Sequence, residues 1–469
     1  MSLRTVIQSI FFVFIFSIIS CFHKQDNTQN TNGTSSYKQI QARGELRAVT
    51  IVNSTGYYIF RGIPAGFHYD LLKKFAEHLN VNLRIVVASS IDDAYQMIAD
   101  NKAEILAIDL TVTQSRKEFL SFSVPLFQTS QVLVYRNGTS NPFLQKSSVI
   151  GLSNLISNIS VHVPSSSSFI ETLKDFAHKK RKKIKVIEVE NKYQEDLIRM
   201  VADNKADYTV SDQHIANLIC KNIGNLNYSV QISQIQDIAW AVEPGSKMLL
   251  TELNKWLSEF KTTGLFRYLY KKYYQSPEKE EYTRNYLLSN KRHQISAYDA
   301  ILKKYAPSIG WDWRLLASLI YQESQFKLDL TSRKGAFGIM QMMPRTAQYF
   351  GIDSTSSAEQ QIVAGIKYLK FLEKNFNDIP DSFERIKFIL SSYNSGPGHT
   401  LDARRLAEKY QKNPNIWNKN VDSFVLRKAY PKYYRDPVVR HGYSRGYESF
   451  KLVYEVLERY NHYCNLIPY

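Results

Sequence analysis

The apolar residues change period near residue 275, and that change constrains the fold more than any other feature of the chain. Before it, short β-branched runs alternate with amphipathic helical segments. GELRAVTIV (44–52), YDLLKKFAEHL (69–79), LRIVVA (83–88), IDDAYQMIADNKA (91–103) and EILAIDLTVT (104–113) follow in that order. Such a β-α-β-α rhythm implies a sheet covered by helices. A second block runs from SSVIGLS (147–153) through ISVHVPSSSSFIETLKDFAHK (159–179) to KADYTVSDQHIANLIC (205–220). LLTELNKWLSEFKTTGLFRYLYKKYY (249–274) reads as one long amphipathic helical stretch closing this part. After the charged segment QSPEKEEYTRN (275–285), helical periodicity and glycine-containing turns take over with no convincing strand. The expected architecture is multidomain. A two-lobed α/β unit spans 40–274, its second lobe at about 140–235, and a linker at 275–289 leads to a mainly α unit at 290–469. With 469 residues, 44% of them hydrophobic and 22% charged, the chain can bury cores of this size.

The N-terminus, MSLRTVIQSIFFVFIFSIISCFHKQ, places Arg4 ahead of an apolar run from Val6 to Ile19 that ends at Ser20 and Cys21. The run is short for a membrane span of about 20 residues and has the anatomy of a secretory signal. IISC resembles the bacterial lipobox, with Ile18 where leucine is usual. That resemblance implies a signal peptide over 1–21 and lipidation of Cys21; an uncleaved anchor would leave the chain on the same side of the membrane. Residues 22–39, rich in Asn, Thr, Gln and Ser, read as a polar tether. The expected location is the periplasmic face of the cell envelope, anchored to the outer membrane. Cys220 and Cys464 fall in different units, so no disulfide is expected, and no metal-ligand spacing occurs.

The formal charge of +17 calls for an anionic partner. Zinc-finger spacing, RNP-type aromatics and a basic recognition helix are all missing, and an exported chain does not meet the nucleoid, so nucleic acid is excluded as partner. Anionic cell wall or membrane lipid fits better.

Within the α/β part, GFHYDLLKKFAEHL, LTVTQSRKEFLSFSVPLF and KADYTVSD occur in the order found in the extracellular solute-binding proteins that capture amino acids. The stretch 40–272 resembles that family. Its T-x-T-x-x-R pattern before F-S-x-P is here Thr111, Thr113 and Arg116, followed by Phe122, Ser123 and Pro125. The resemblance implies that Arg116 and Thr111 hold a ligand carboxylate and that Asp212 receives its ammonium. A guanidinium suits the first task because its parallel donors match a carboxylate bidentately. SSSSF (165–169), with Ser167 just ahead of a helix, offers hydroxyls and free N–H groups to the same carboxylate. Asp109 stands where that family often has a small neutral or hydroxyl residue. A carboxylate there would capture a second amine or exclude a ligand acid.

In the helical part, YQESQF (321–326) places Glu323 four residues after Leu319, on the buried side of a helix end. Taken alone it is a solvated helix-end glutamate. The pattern E-S-x-F…S-x-x-G-A-x-G-I-M-Q-x-M-P-x-T-A, followed by AEQQIVAGIKYLKFL (358–372) and SSYNSGPG (391–398), resembles the soluble lytic transglycosylase family, whose fold is goose-lysozyme-like. The resemblance covers about 290–460. It implies that Glu323 is the catalytic acid and that Ser324, Ser332, Gln341, Met343, Tyr393, Asn394 and Glu448 line the sugar cleft. Leu452 replaces an expected tyrosine, and Tyr454 or Tyr443 could supply the lost phenol.

The implied reaction cleaves the β-1,4 bond between N-acetylmuramic acid and N-acetylglucosamine without water, leaving 1,6-anhydromuramic ends. The partners are then peptidoglycan glycan strands, an amino acid or muropeptide in the α/β unit, and the membrane through the lipid; no cofactor is needed. Hydrolysis by a muramidase, or wall and amino-acid binding without catalysis, are the alternatives.

Overall fold

The computed structural model describes residues 35–60, 62–137, 159–275 and 294–467. Cys21 and the signal-like run, most of the tether, the expected strand at 147–153 and nearly all of the linker lie outside the described residues. The strands in chain order are β1 (Glu45–Thr50), β2 (Tyr58–Phe60), β3 (Ile63–Ala65), β4 (Asn82–Val87), β5 (Ile105–Thr111), β6 (Ser121–Phe122) and β7 (Phe127–Thr129). They continue with β8 (Gln131–Arg136), β9 (Ile159–Pro164), β10 (Ile184–Val189), β11 (Tyr208–Asp212), β12 (Leu226–Gln231) and β13 (Gln236–Val242).

One sheet has the order β4-β1-β5-β13-β6, with β7 also on β13. The pairs β1–β4 and β1–β5 are parallel, while β13 returns antiparallel to β5. All seven residues of β5 are buried, as a central strand covered on both faces requires. The second sheet has the order β10-β9-β11-β8-β12. The chain therefore crosses between lobes at Ser130 and again between Gln231 and Gln236. The second sheet begins at Gln131, ahead of the expected position near 140. Only Ser130 separates β7 from β8, so no loop marks the crossing in the sequence.

Two local expectations change. Residues 35–39, read as tether, belong to a helix, Ser35–Arg43, whose Ile40 is fully buried in the core of the first lobe. The stretch 249–274 is two helices, Lys247–Phe260 and Gly264–Tyr274. The Thr263 hydroxyl accepts from Phe266 N at 3.2 Å, an N-cap that starts the second helix afresh.

The C-terminal part is helical among the described residues, apart from isolated bridges at Thr331–Phe337 and Phe337–Met342. Its core gathers Leu316, Leu319, Ile320, Ile362, Phe388, Leu406, Trp417 and Val456. Two helices meet at its centre, Trp313–Ser324 and the C-terminal helix Tyr447–Leu466, and Ser318 Oγ donates to Val456 O at 2.6 Å between them. The C-terminal helix also reaches the first lobe, where Asn465 Nδ2 donates to Ile85 O at 3.0 Å. Cys220 and Cys464 are free thiols, as expected.

Candidate active site and ligand cleft

Glu323 sits on the last turn of the helix Trp313–Ser324. Asp312 caps that helix by accepting from Arg314 N at 2.9 Å and also pairs with the Arg314 guanidinium. The helix stops because Gln325 and Phe326 both take left-handed backbone angles, φ 54° and 64°. Leu315, Leu316, Leu319 and Ile320 face the core, and the helical period carries Glu323 toward the same side. The residue is half-buried, and its Oε1 is shut off from solvent with no hydrogen-bond partner among the described residues. Burial pushes its carboxyl up to about 7.

The residues expected around Glu323 divide by what their polar atoms do. Ser324 is buried and donates to Ile339 O at 2.7 Å, which ties the end of the acid's helix to the glycine loop. Ser332 closes a tight turn with Ala336: Ser332 N donates to Ala336 O at 2.8 Å, and Ala336 N to Ser332 Oγ at 3.0 Å. Gln341 Nε2 donates to Leu330 O and Gly338 O at 2.9 and 2.8 Å. Gly338 has φ +78°, and a Cβ there would collide with the Gln361 amide whose Oε1 accepts from Ile339 N.

Tyr393 donates to Met340 O at 2.6 Å. Burial and the nearby Glu323 charge raise its phenol. Asn394 is exposed and accepts from Ser449 Oγ at 2.8 Å; Met343 and Glu448 are also exposed. Leu452 is buried in the core, so the missing phenol is replaced by apolar packing. Tyr454 is partly exposed against Phe450. Sequence reasoning missed Tyr368, whose ring lies 5.3 Å from that of Tyr393, and Ser449, which orients Asn394. Ser449 directly follows Glu448, and that adjacency was its one available signal.

Between the two sheets, one cavity is lined by Asp109, Thr111 and Arg116 from the first lobe and by Ser167, Phe169, Tyr193 and Asp212 from the second. All five expected ligand residues meet there. The lobes are closed on each other. Ser54 N and Oγ donate to the Glu195 carboxylate at 3.0 and 2.7 Å, Ser166 Oγ to Asp92 at 2.6 Å, and Arg116 Nη2 to Ser166 O at 3.3 Å. About 20 Å³ of room remains, enough for a water molecule and too little for an amino acid. Arg116 Nη1 donates to Thr111 O at 2.8 Å, so two guanidinium donors rest on protein carbonyls.

Asp212 is fully out of solvent in this cavity. Gln194 Nε2 donates to its Oδ2 at 3.2 Å, while Oδ1 has no partner among the described residues. Burial pushes Asp212 up to about 6; the Asp109 charge adds to the rise, and His214 and Arg116 offset part of it.

Asp109 is differently placed. Trp240 Nε1 donates to His68 Nδ1 at 3.0 Å, so the other nitrogen, Nε2, carries the proton that goes to Asp109 Oδ1, also at 3.0 Å. Tyr274 donates to the same oxygen at 3.1 Å, and His214 Nε2 stands 3.7 Å from Oδ2. Burial acts to raise this carboxyl, but His68 and His214 outweigh it and hold it well below the usual carboxylate range. Asp109 lines the cavity with Oδ1 held by His68 and Tyr274, while Oδ2, 3.7 Å from His214 Nε2, has no hydrogen-bond partner among the described residues.

Comparison with known proteins covers nearly the whole chain. Residues 51–276 match the family model for bacterial extracellular solute-binding proteins, family 3, and residues 300–416 match that for the transglycosylase SLT domain. A membrane-bound lytic murein transglycosylase F from Desulfosudis oleivorans is 31% identical over 428 residues, 90% of each chain. The protein of that name from Pseudomonas fluorescens is 29% identical over 430 residues, 91% of this chain and 86% of its own. The one from Erwinia tasmaniensis is 31% identical over 424 residues, 90% of this chain and 83% of its own. Among solved structures, a mutant of ArgBP from T. maritima superposes with a TM-score of 0.44 at 23% identity, over 51% of this chain and 99% of that one. A substrate-binding protein from Streptococcus pneumoniae bound to L-arginine gives 0.44 at 18% identity, over 52% and 98%.

Proposed function

This chain belongs to the membrane-bound lytic murein transglycosylase F family, and from that premise we propose that Glu323 is its single catalytic acid and base. The protein is a peptidoglycan lytic transglycosylase that carries a solute-binding domain. One observation supports the assignment of the acid most: Glu323 has an oxygen sealed from water without a partner, and burial alone accounts for its pKa near 7. Among the described residues no neighbouring carboxylate contributes to that rise. A nucleophilic carboxylate about 5 Å away, as in retaining glycosidases, would add a Coulombic push.

A lone carboxyl suffices when the nucleophile belongs to the substrate. Protonated Glu323 gives its proton to the glycosidic oxygen as the bond from that oxygen to C1 of N-acetylmuramic acid breaks. The resulting carboxylate takes the proton from the muramic C6 hydroxyl, whose oxygen closes on C1 to give the 1,6-anhydro ring. The proton count balances and Glu323 ends as a carboxylic acid, ready to repeat the cycle. Tyr393 keeps its hydroxyl proton on Met340 O and so packs beside the acid without hydrogen-bonding to it. Ser324 and Gln341 hold the surrounding loop, while Met343, Asn394, Glu448 and the turn at Ser332 face the sugars.

In the solute-binding domain Arg116 and Thr111 receive the carboxylate of an amino acid or wall peptide, helped by the helix start at Ser167, and Asp212 takes its ammonium. The partnerless Asp212 Oδ1 supports that last role. A ligand of that size enters only after the lobes part, because the closed cavity has about 20 Å³ of room. Residues 40–274 and 290–469 form the two working units. The chain associates with the cell envelope, held at the outer membrane by lipid on Cys21; no helix among the described residues is long and apolar enough to cross a membrane. The decisive experiment is mass spectrometry of digested sacculi. Anhydro ends that vanish with Glu323→Gln carry the proposal, and reducing ends from the wild type would make the enzyme a muramidase.

A further inference from the structure

The hairpin β2–β3 leaves the first lobe and ends on the catalytic helix. Ile59 of β2 packs against the core of the helical part. At the turn Gly62, φ +79°, lies against the ring of Tyr321, two residues before Glu323. Tyr463 donates to Gly62 O at 3.2 Å. A Cβ on Gly62 would fall within the van der Waals surface of the Tyr321 ring and stand 2.9 Å from the Tyr463 hydroxyl.

Two anchors fix the hairpin to the C-terminal helix. Just ahead of it, the Tyr57 hydroxyl and His462 Nδ1 are 2.8 Å apart, both residues buried, and burial keeps the imidazole neutral with a pKa near 3. The Tyr69 ring meets the same imidazole edge-on at 5.3 Å.

Tyr321 has little freedom to escape. It is buried, the Arg459 guanidinium lies 4.5 Å from its ring centroid, and Phe326 packs on it at 5.9 Å. Arg459 also donates to Gln322 Oε1 at 2.9 Å, and Gln322 Nε2 to Glu455 at 2.7 Å. The segment that carries Glu323 is thus gripped from the C-terminal helix on one side and from the solute-binding domain on the other.

We propose that Gly62 and Tyr321 are positioning residues for catalysis: the solute-binding domain's hairpin seats Tyr321 and through it sets where Glu323 stands. This rests on Glu323 being the acid, which Glu323→Gln tests separately. Carbon atoms pack at about 3.5–4 Å, so any side chain at 62 drives the Tyr321 ring away by about 1 Å or more. Displacement on that scale costs catalysis about 10²-fold. It also admits water to Glu323, whose titratable neighbour is Tyr393, and the pKa falls from about 7 toward 4.5.

The test uses full-length Gly62→Ala on purified sacculi, following the initial release of anhydromuropeptides from pH 5 to pH 8. Gly44→Ala is the control, because Gly44 has φ +70° with nothing within 4 Å of its Cβ direction; it carries the backbone strain without the intrusion. The expected result is at least about a tenfold loss for Gly62→Ala at pH 7. Its alkaline limb moves to lower pH, while Gly44→Ala follows the wild type. A Gly62→Ala profile that matches Gly44→Ala overturns the proposal. Should Gly62→Ala fail to fold, Tyr321→Leu decides. It removes the seated ring and must show the same acidic shift of the limb; a wild-type rate and limb overturn the proposal. Where Gly62→Ala does fold, its loss must shrink in the Tyr321→Leu background, since the clash with the ring is gone and only the 2.9 Å approach to the Tyr463 hydroxyl remains.

Discussion

Tyr393 donates its hydroxyl proton to Met340 O at 2.6 Å, while burial and the nearby Glu323 charge raise the same phenol. The tyrosine is therefore fixed beside the acid by a bond to the glycine loop, and Glu323 keeps an oxygen without a partner. An unpaired, half-buried carboxyl holds its proton near neutral pH, which is the state the first chemical step requires.

Activity follows from that protonation. The rate on sacculi stays high below about pH 6 and falls as the pH rises through about 7, because the ionised form has no proton to give. Glu323→Gln removes both donor and acceptor at constant shape and lowers the rate by at least about 10²-fold. A wild-type profile that is flat from pH 5 to pH 8 contradicts the assignment.

Stability carries the same signature with a definite sign. The folded pKa is raised above the ordinary 4.5, so below about pH 4 the carboxyl is protonated in both states and contributes nothing. As pH climbs toward 7 the unfolded chain releases its proton first, and the folded state loses relative stability. Glu323→Gln escapes this loss. Thermal melts should show equal stability at pH 4 and a gain for the variant of up to about 2 kcal/mol at pH 8, discounted for the partial exposure.

Ligand capture should depend on pH through Asp212. Burial raises it to about 6, so it is mostly neutral at pH 5 and ionised at pH 7. Calorimetry on the full chain with amino acids and muropeptides released from sacculi should give tighter binding at pH 7 than at pH 5. Arg116→Ala should lose most of the affinity, because a desolvated carboxylate would lack its charge-assisted partner. Affinity that is unchanged by pH or by Arg116→Ala sinks the zwitterion clamp.

Asp402 is a structural counterpart to these functional acids. Its side chain is fully buried and accepts from Lys428 Nζ at 2.7 Å and from the backbone of Arg440 and His441 at 2.9 Å each. Asp402→Ala leaves the buried Lys428 with His399 Nδ1, 3.0 Å away, in place of a counter-charge and should cost about 3–5 kcal/mol in denaturant titration. A loss below 1 kcal/mol would mean that Lys428 finds water or another acceptor.

Anchoring is tested by fractionation. Cys21→Ser should leave the protein unlipidated and release it from the membrane fraction. Unchanged fractionation would point to an uncleaved anchor or to contact through the basic surface.

What the amino-acid sequence determined by itself was whatever local spacing carries. A β-α rhythm, a guanidinium five residues after a threonine, and a glutamate one turn beyond a buried leucine each report a neighbourhood of a few residues. From these the two fold classes were legible, while Glu323 and the clamp residues were singled out only by the resemblance of longer motif strings to known families. Helix Ser35–Arg43 was hidden because its one strongly buried residue, Ile40, is explained by packing against the lobe core and not by any period of its own. Tertiary structure decided the rest, because it depends on pairs far apart in the chain. Ser54 closes on Glu195 across 141 positions. Asp109 meets His68, His214 and Tyr274, which no local pattern connects to it. Gly62 meets Tyr321 because the C-terminal helix, pinned through His462 and Asn465, draws the first lobe onto the catalytic helix. Each of these contacts exists because burying one surface against another excludes water, and that gain is made only when distant elements have already found their places.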